Sequence, residues 1–202
     1  IKPIKMKLYI LIILTMFSSV SLLCQSNDAW ISFWNNDTTL IGYKDKNGVV
    51  KIEPKFTGFT SAAKFENIIA ATEEINGNWV SYYLTKTGKI VGRDSLHIFD
   101  NGPDCESEGF IRFRDSKSDR VGLFNKNGDI VIPAIYNDMT RVRNGMIIAL
   151  KGAEKKYMDG GEHYSWLGGR EYLIDTNNQI LVDNFKYDNS LNFFTFRRRP
   201  TP

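Results

Sequence analysis

The chain is poor in the residues from which reaction centres are built. Across 202 residues it has two cysteines, Cys24 and Cys105, and two histidines, His97 and His163. Two thiols make neither a disulfide framework nor a four-thiolate metal site. The histidines form no paired-His metal motif, and no nucleophile-elbow or phosphate-cradling glycine pattern is present. These absences point to a non-catalytic protein with no cofactor. Charge of one sign is lacking too, and a formal net charge of +3 is too small for a nucleic-acid face. Helical stripes are missing beyond the first 24 residues, where only Ser61 to Glu66 suits a single turn. Aromatics, Gly, Asn and Asp are abundant, which favours many short strands joined by turns. The apolar and charged fractions, 42% and 24%, are those of a globular chain rather than a disordered one.

The one long apolar run lies at the start. Met6 and Lys7 precede the apolar stretch Leu8 to Leu14, and small residues follow up to Cys24. A basic start, an apolar middle and a small-residue exit describe a secretory signal peptide. Ile1 to Lys5 stand upstream of the first methionine. Thr15, Ser18, Ser19 and Ser21 interrupt the run short of the ~20 apolar residues that a membrane span needs. Cleavage fits after Ser21 and also after Cys24, while a lipid on Cys24 would want a smaller neighbour than Leu23. Residues 1–24 are therefore read as leader and 25–202 as the exported domain. Its destination is the periplasm, the cell surface or the medium, with membrane contact only if Cys24 is lipidated. Losing Lys2, Lys5 and Lys7 with the leader makes the mature chain formally neutral, which argues further against nucleic acid.

The exported part repeats itself. Ile41 to Ile52, Ser81 to Gly92, Val121 to Ile132 and Glu171 to Val182 share one pattern, and Gly48, Gly88 and Gly128 lie 40 residues apart, with Asn178 50 further on. Gly and Asn are the residues that tolerate a positive φ. Three positions earlier stand Asp45, Thr85, Asn125 and Asp175, each able to accept a backbone N–H. The expected element is a β-hairpin with a type I turn and a bulge. Tyr43, Tyr83, Leu123 and Leu173, and also Val50, Ile90, Ile130 and Ile180, are apolar in every copy and are expected to face the core. A strand leads out of each unit, for example Ile68 to Thr72 and Gly145 to Leu150, and Ala29 to Trp34 reads as one more such strand. The fold class is all-β: four tandem units, about 40–77, 78–118, 119–168 and 169–197, in a propeller-like ring or an open curved array. Pairing of Ala29–Trp34 with the last unit would close a ring.

Val121-Gly122-Leu123, Asn127-Gly128, Ile130 to Pro133, Tyr136 and Asn144-Gly145 resemble the WG-repeat family of bacterial β-rich proteins. Ile41-Gly42-Tyr43, Asn47-Gly48 and Pro54 resemble it in the first unit, and Ser107-Glu108-Gly109 in the second. The resemblance spans about Leu40 to Phe196. It departs where Ile41 and Val121 replace the family's Trp, and where Tyr82 and Tyr172 replace its Gly. The resemblance implies β-rich repeats of a kind often found in secreted or envelope proteins and brings no catalytic residue with it.

The third unit carries a polar insert from Gly152 to Ser165, read as a long loop. Long loops of repeat proteins carry specific function. The candidate binding residues are Tyr157, Asp159, Glu162, His163, Tyr164 and Trp166, because aromatics beside polar groups suit a glycan or a protein. Asp159, Glu162 and His163 are also the best metal-ligand cluster, although one short loop seldom supplies a complete shell. Asp100 to Asp104 reads as a turn before a calcium loop, His97 as a structural residue between Leu96 and Ile98, and Arg197 to Arg199 as a solvated basic tail. The expected function is an exported binding or scaffolding protein for an envelope protein or glycan. The alternatives are an envelope hydrolase or metal-dependent enzyme using the insert, and a purely structural repeat module.

Overall fold

The computed structural model describes residues 28–58, 61–99, 102–158 and 163–186. The leader, Asp100, Asn101, Asp159 to Glu162 and the arginine tail lie outside these residues, as does the side chain of His163. Among the described residues every element is a strand. β1 (Trp30–Trp34), β2 (Leu40–Lys44) and β3 (Val50–Thr57) form a first antiparallel meander, followed by the short β4 (Lys64–Phe65). β5 (Ile68–Ile75), β6 (Asn78–Thr85) and β7 (Ile90–Val91) form a second, followed by a ribbon of β8 (Ile98–Phe99) and β9 (Gly102–Pro103). The third is β10 (Phe110–Asp115), β11 (Arg120–Asn125) and β12 (Ile130–Tyr136), followed by β13 (Asp138–Met139). The fourth is β14 (Met146–Met158), β15 (His163–Asp175) and β16 (Ile180–Val182). Each meander thus joins the outgoing strand of one sequence unit to the hairpin of the next.

Phe56 pairs with Glu73 and fuses the first two meanders into one seven-stranded sheet, β4-β1-β2-β3-β5-β6-β7, which curls into half a barrel. β10 to β12 and β13 to β16 make two smaller sheets. β1 pairs with β2 and β4, both in the first meander. Among the described residues no pairing of this strand with the last unit closes a ring. β4 also corrects the expected helical turn at Ser61 to Glu66, because Lys64 and Phe65 pair with Ile31 and Trp30 instead.

All four repeat hairpins close in the same way. The N–H of Gly48, Gly88, Gly128 or Asn178 donates to the carbonyl of Asp45, Thr85, Asn125 or Asp175, at 2.9–3.1 Å. The side-chain oxygen of Asp45, Asn125 or Asp175 then accepts two further N–H groups, and that of Thr85 accepts one. The turn residue has φ between +64° and +84° in the four copies, which is why it is Gly or Asn.

Every packed cluster is shared by consecutive meanders. Tyr43, Phe56, Phe65, Ile69 and Tyr82 fill the first, and Ile68, Tyr83, Ile111, Phe113 and Phe124 the second. Val121, Leu123, Ile132, Met139, Ile147 and Ile174 fill the third. Ile68 to Ala71 are all buried because alternate residues of β5 point into different clusters. The expectation of two core positions per hairpin holds for the first: Tyr43, Tyr83 and Leu123 are buried and Leu173 is half-buried. It fails for the second. Val50 and Ile90 are 42% exposed, Ile180 56% and Ile130 60%. They stand at the start of the third strand, and β7, β12 and β16 are sheet edges with no neighbour on that side.

Candidate functional site

A buried charge cluster ties the second, third and fourth meanders together. Asp104 follows β9, and its N–H donates to the His97 carbonyl at 2.9 Å. Its carboxylate is buried and is gripped by the Arg112 guanidinium, Nε at 2.9 Å on Oδ2 and Nη2 at 2.8 Å on Oδ1. Arg141 Nε adds a third contact at 2.7 Å. Burial alone would raise the Asp104 pKa, but the hydrogen bonds and charge of Arg112, helped by Arg141, hold it below the usual carboxylate value. Arg112 Nη1 also reaches the Met139 carbonyl at 2.6 Å, so β10 holds β13.

Asp138 on β13 is the next carboxylate. Its Oδ2 accepts the indole N–H of Trp166 at 3.2 Å, and His97 Nε2 stands 3.6 Å from its Oδ1. Burial pushes this carboxyl up, and the neighbouring His97 and the Trp166 N–H pull it down to a net lowered pKa. His97 is buried, and its backbone N–H donates to the Tyr83 hydroxyl. Above this floor opens a cleft of about 610 Å³, lined by Arg112, Asp138, Arg141, Arg143, Trp166 and Glu171 among others.

The expected insert loop is instead an arm of two strands. β14 and β15 pair without interruption from Ala153 with Gly168 to Met158 with His163. The polar run Glu154 to Lys156 hid this pairing from a composition argument. Asn137, itself buried, fixes the root of the arm by bonding both the N–H and the carbonyl of Ala153. One face of the arm carries Lys155, Tyr157, Tyr164 and Trp166 in cross-strand pairs. The Tyr157 and Tyr164 rings lie 6.0 Å apart, and Tyr164 meets Trp166 edge-on at 5.4 Å. Lys155 Nζ sits 4.4 Å from the Tyr164 ring centre and pairs with Asp119 at 2.5 Å, pinning the arm to the third meander.

Of the residues singled out from sequence, Tyr157, Tyr164 and Trp166 come together on this face. Asp159 and Glu162 lie outside the described residues, and the backbone of His163 begins β15. Asp104 belongs to the buried cluster rather than to a calcium loop. The cleft residues other than Trp166 were missed, although one signal was there: Arg112 sits between the buried Ile111 and Phe113.

The third unit explains a sequence signature. Between the pairs Val121 with Tyr136 and Leu123 with Ile132, three residues from Pro133 to Ile135 face Gly122 alone. A β-carbon there would stand 2.7 Å from the Ile132 carbonyl oxygen. The bulge needs the glycine, and proline suits a bulge because it has no N–H to place. Gly42 faces Glu53 to Lys55 in the same way. Where β7 and β16 end before the residues that would face this position, Tyr82 and Tyr172 replace the glycine. Residues 122–157 match the family model described as WG containing repeat. The matched stretch includes β13, the first half of the arm and the Asp138, Arg141 and Arg143 walls of the cleft. No curated protein matches the chain.

Proposed function

We propose that this β-rich repeat protein is an exported, non-catalytic binding or scaffolding protein of the cell envelope, and that it recognises a glycan or protein partner through the aromatic face of the β14–β15 arm. The observation that carries this reading is the row of Tyr157, Tyr164 and Trp166 with Lys155 among them. Tyr157 is 60% exposed, and the row is held straight by cross-strand pairing. Exposed, rigid aromatics flanked by a cation and hydroxyls are the chemistry of binding hot spots. A repeat array supplies the stiff base that such a surface needs. The signal-like leader and the neutral mature chain support an envelope location and weigh against nucleic acid.

The test is retention of envelope extract and a glycan array by the immobilised mature chain. One glycan or protein should be enriched over background. The double variant Tyr157→Ala, Tyr164→Ala should retain roughly tenfold less, the loss expected when aromatic anchors are truncated. Equal retention by the variant removes the arm from the reading, and no retention by either protein removes the binding function.

A further inference from the structure

The cleft beside the arm has its own chemistry. Arg141 uses only Nε to hold Asp104, and neither of its Nη groups makes a hydrogen bond among the described residues. The guanidinium is thus oriented by a buried carboxylate while its outer edge is left to the cleft. Bidentate donors of this kind match a carboxylate. Trp166 lines the same cleft, and its ring is fixed by the bond to Asp138, so it offers a rigid apolar plate. Glu171 adds an acceptor, with no hydrogen bond to its carboxylate among the described residues. An indole plate, a carboxylate acceptor and a guanidinium fork fit one kind of ligand: a sugar ring whose C–H face stacks, whose hydroxyls donate and which carries an acid group. A peptide fits less well because the backbone at the cleft is already used. The Met139 carbonyl accepts from Arg112, and the Thr140 N–H donates to the Ile148 carbonyl. The volume of about 610 Å³ accommodates a small oligosaccharide.

We propose that the cleft between β13 and the root of the arm binds a uronic acid residue of an acidic glycan, with Arg141 holding its carboxylate, Trp166 stacking on its ring and Glu171 accepting its hydroxyls. This rests on the binding function proposed above and names the ligand class. The cleft is continuous with the aromatic row, since Trp166 belongs to both, so a longer glycan would run from cleft to arm.

Calorimetry and tryptophan fluorescence of the mature chain test it, with oligomers of galacturonate, glucuronate and mannuronate, their carboxyl-reduced neutral counterparts, and an acidic peptide. At least one uronate oligomer should bind, and its neutral counterpart should bind about tenfold more weakly, as loss of a charge-assisted contact implies. Arg141→Gln should abolish that difference. Asp104 keeps its Arg112 partner in this variant, so circular dichroism should remain native. Trp166→Phe should weaken acidic and neutral oligomers together, and Glu171→Gln should weaken both while leaving the preference for acid. No binding of any uronate, equal binding of the neutral counterparts, or binding of the acidic peptide alone overturns the assignment. Retention of envelope material without uronate binding would remove the cleft assignment and leave the arm's function standing. Uronate binding that survives loss of Tyr157 and Tyr164 would do the reverse for the arm.

Discussion

A methyl group added to Gly122 would lie 2.5 Å from the edge of the Phe113 ring and 2.7 Å from a backbone oxygen. Phe113 is itself stacked on Phe124, with ring centres 4.2 Å apart, so it has little room to yield. Gly122→Ala should therefore destabilise the protein by about 1–3 kcal/mol, the usual cost of overpacking a filled core. Gly102→Ala is the control: no atom lies within 4 Å of the added carbon, and the change should stay within about 0.5 kcal/mol. Urea unfolding of both variants checks the pair, and equal midpoints would mean that the bulge opposite Gly122 is free to move. The same contrast explains why aromatic rings occupy the equivalent positions 82 and 172. There the third strand ends early, and Tyr82 uses the space to donate a hydrogen bond to Glu73.

At the scale of elements, neighbouring units are joined by acidic side chains that cap one another's turns. Glu106 accepts the N–H groups of Asn67 and Ile68 and the Asn67 amide, at 2.6–2.9 Å. Glu108 does the same for Asn144 and Gly145 on the next unit, at 2.7 and 2.9 Å. The segment from Glu106 to Gly109 thus stitches the turn before β5 to the turn before β14. Glu106→Ala leaves three donors without this partner and should cost about 1–3 kcal/mol. A double-mutant cycle with Asn67→Ala should return a coupling of about 0.5 kcal/mol or more between the two positions. Strict additivity would show that the Asn67 side-chain amide adds nothing to the cap. The repeat hairpins were legible because their signals are local: an acceptor side chain and a positive-φ residue three positions later suffice. The Glu106 and Glu108 caps were not, because they join residues 36 to 39 apart in sequence. The arm was also misread, since a polar strand that packs on one side only looks like a loop when its partner is unknown.

For the whole molecule, the carboxylates set the response to acid. Asp104 and Asp138 are lowered below their ordinary value in the folded chain, despite burial, by their cationic and hydrogen-bonding partners. A depressed native pKa contributes stability that is complete above the unfolded value of about 3.9 and is lost as pH falls through the native values. The urea midpoint should therefore change little from pH 7 to 5 and drop below about pH 4. Asp104→Asn should flatten part of that drop. It should also cost about 3–5 kcal/mol at neutral pH, because Arg112 and Arg141 would lose their buried counter-charge. An unchanged acid limb in that variant would move the effect to other carboxylates. At the alkaline end, burial raises the phenols of Tyr43, Tyr82 and Tyr83. Their contribution is complete below the ordinary tyrosine pKa of about 10 and fades as pH rises through the raised native values.

The class of structure and its period are written in local signals: antiparallel β units, each turning at Gly48, Gly88, Gly128 or Asn178, with Tyr43, Tyr83 and Leu123 turned inward. These follow from φ preferences and from alternation, which act over a few residues and need no distant partner. Only the tertiary structure set the exposure of Val50, Ile90, Ile130 and Ile180, because that depends on what packs against the start of each third strand, and for Ile90, Ile130 and Ile180 that strand is a sheet edge. It also set the meeting of Asp104, Arg112 and Arg141 beside Trp166, because Arg141 comes from a different unit and reaches Asp104 only when the units stack.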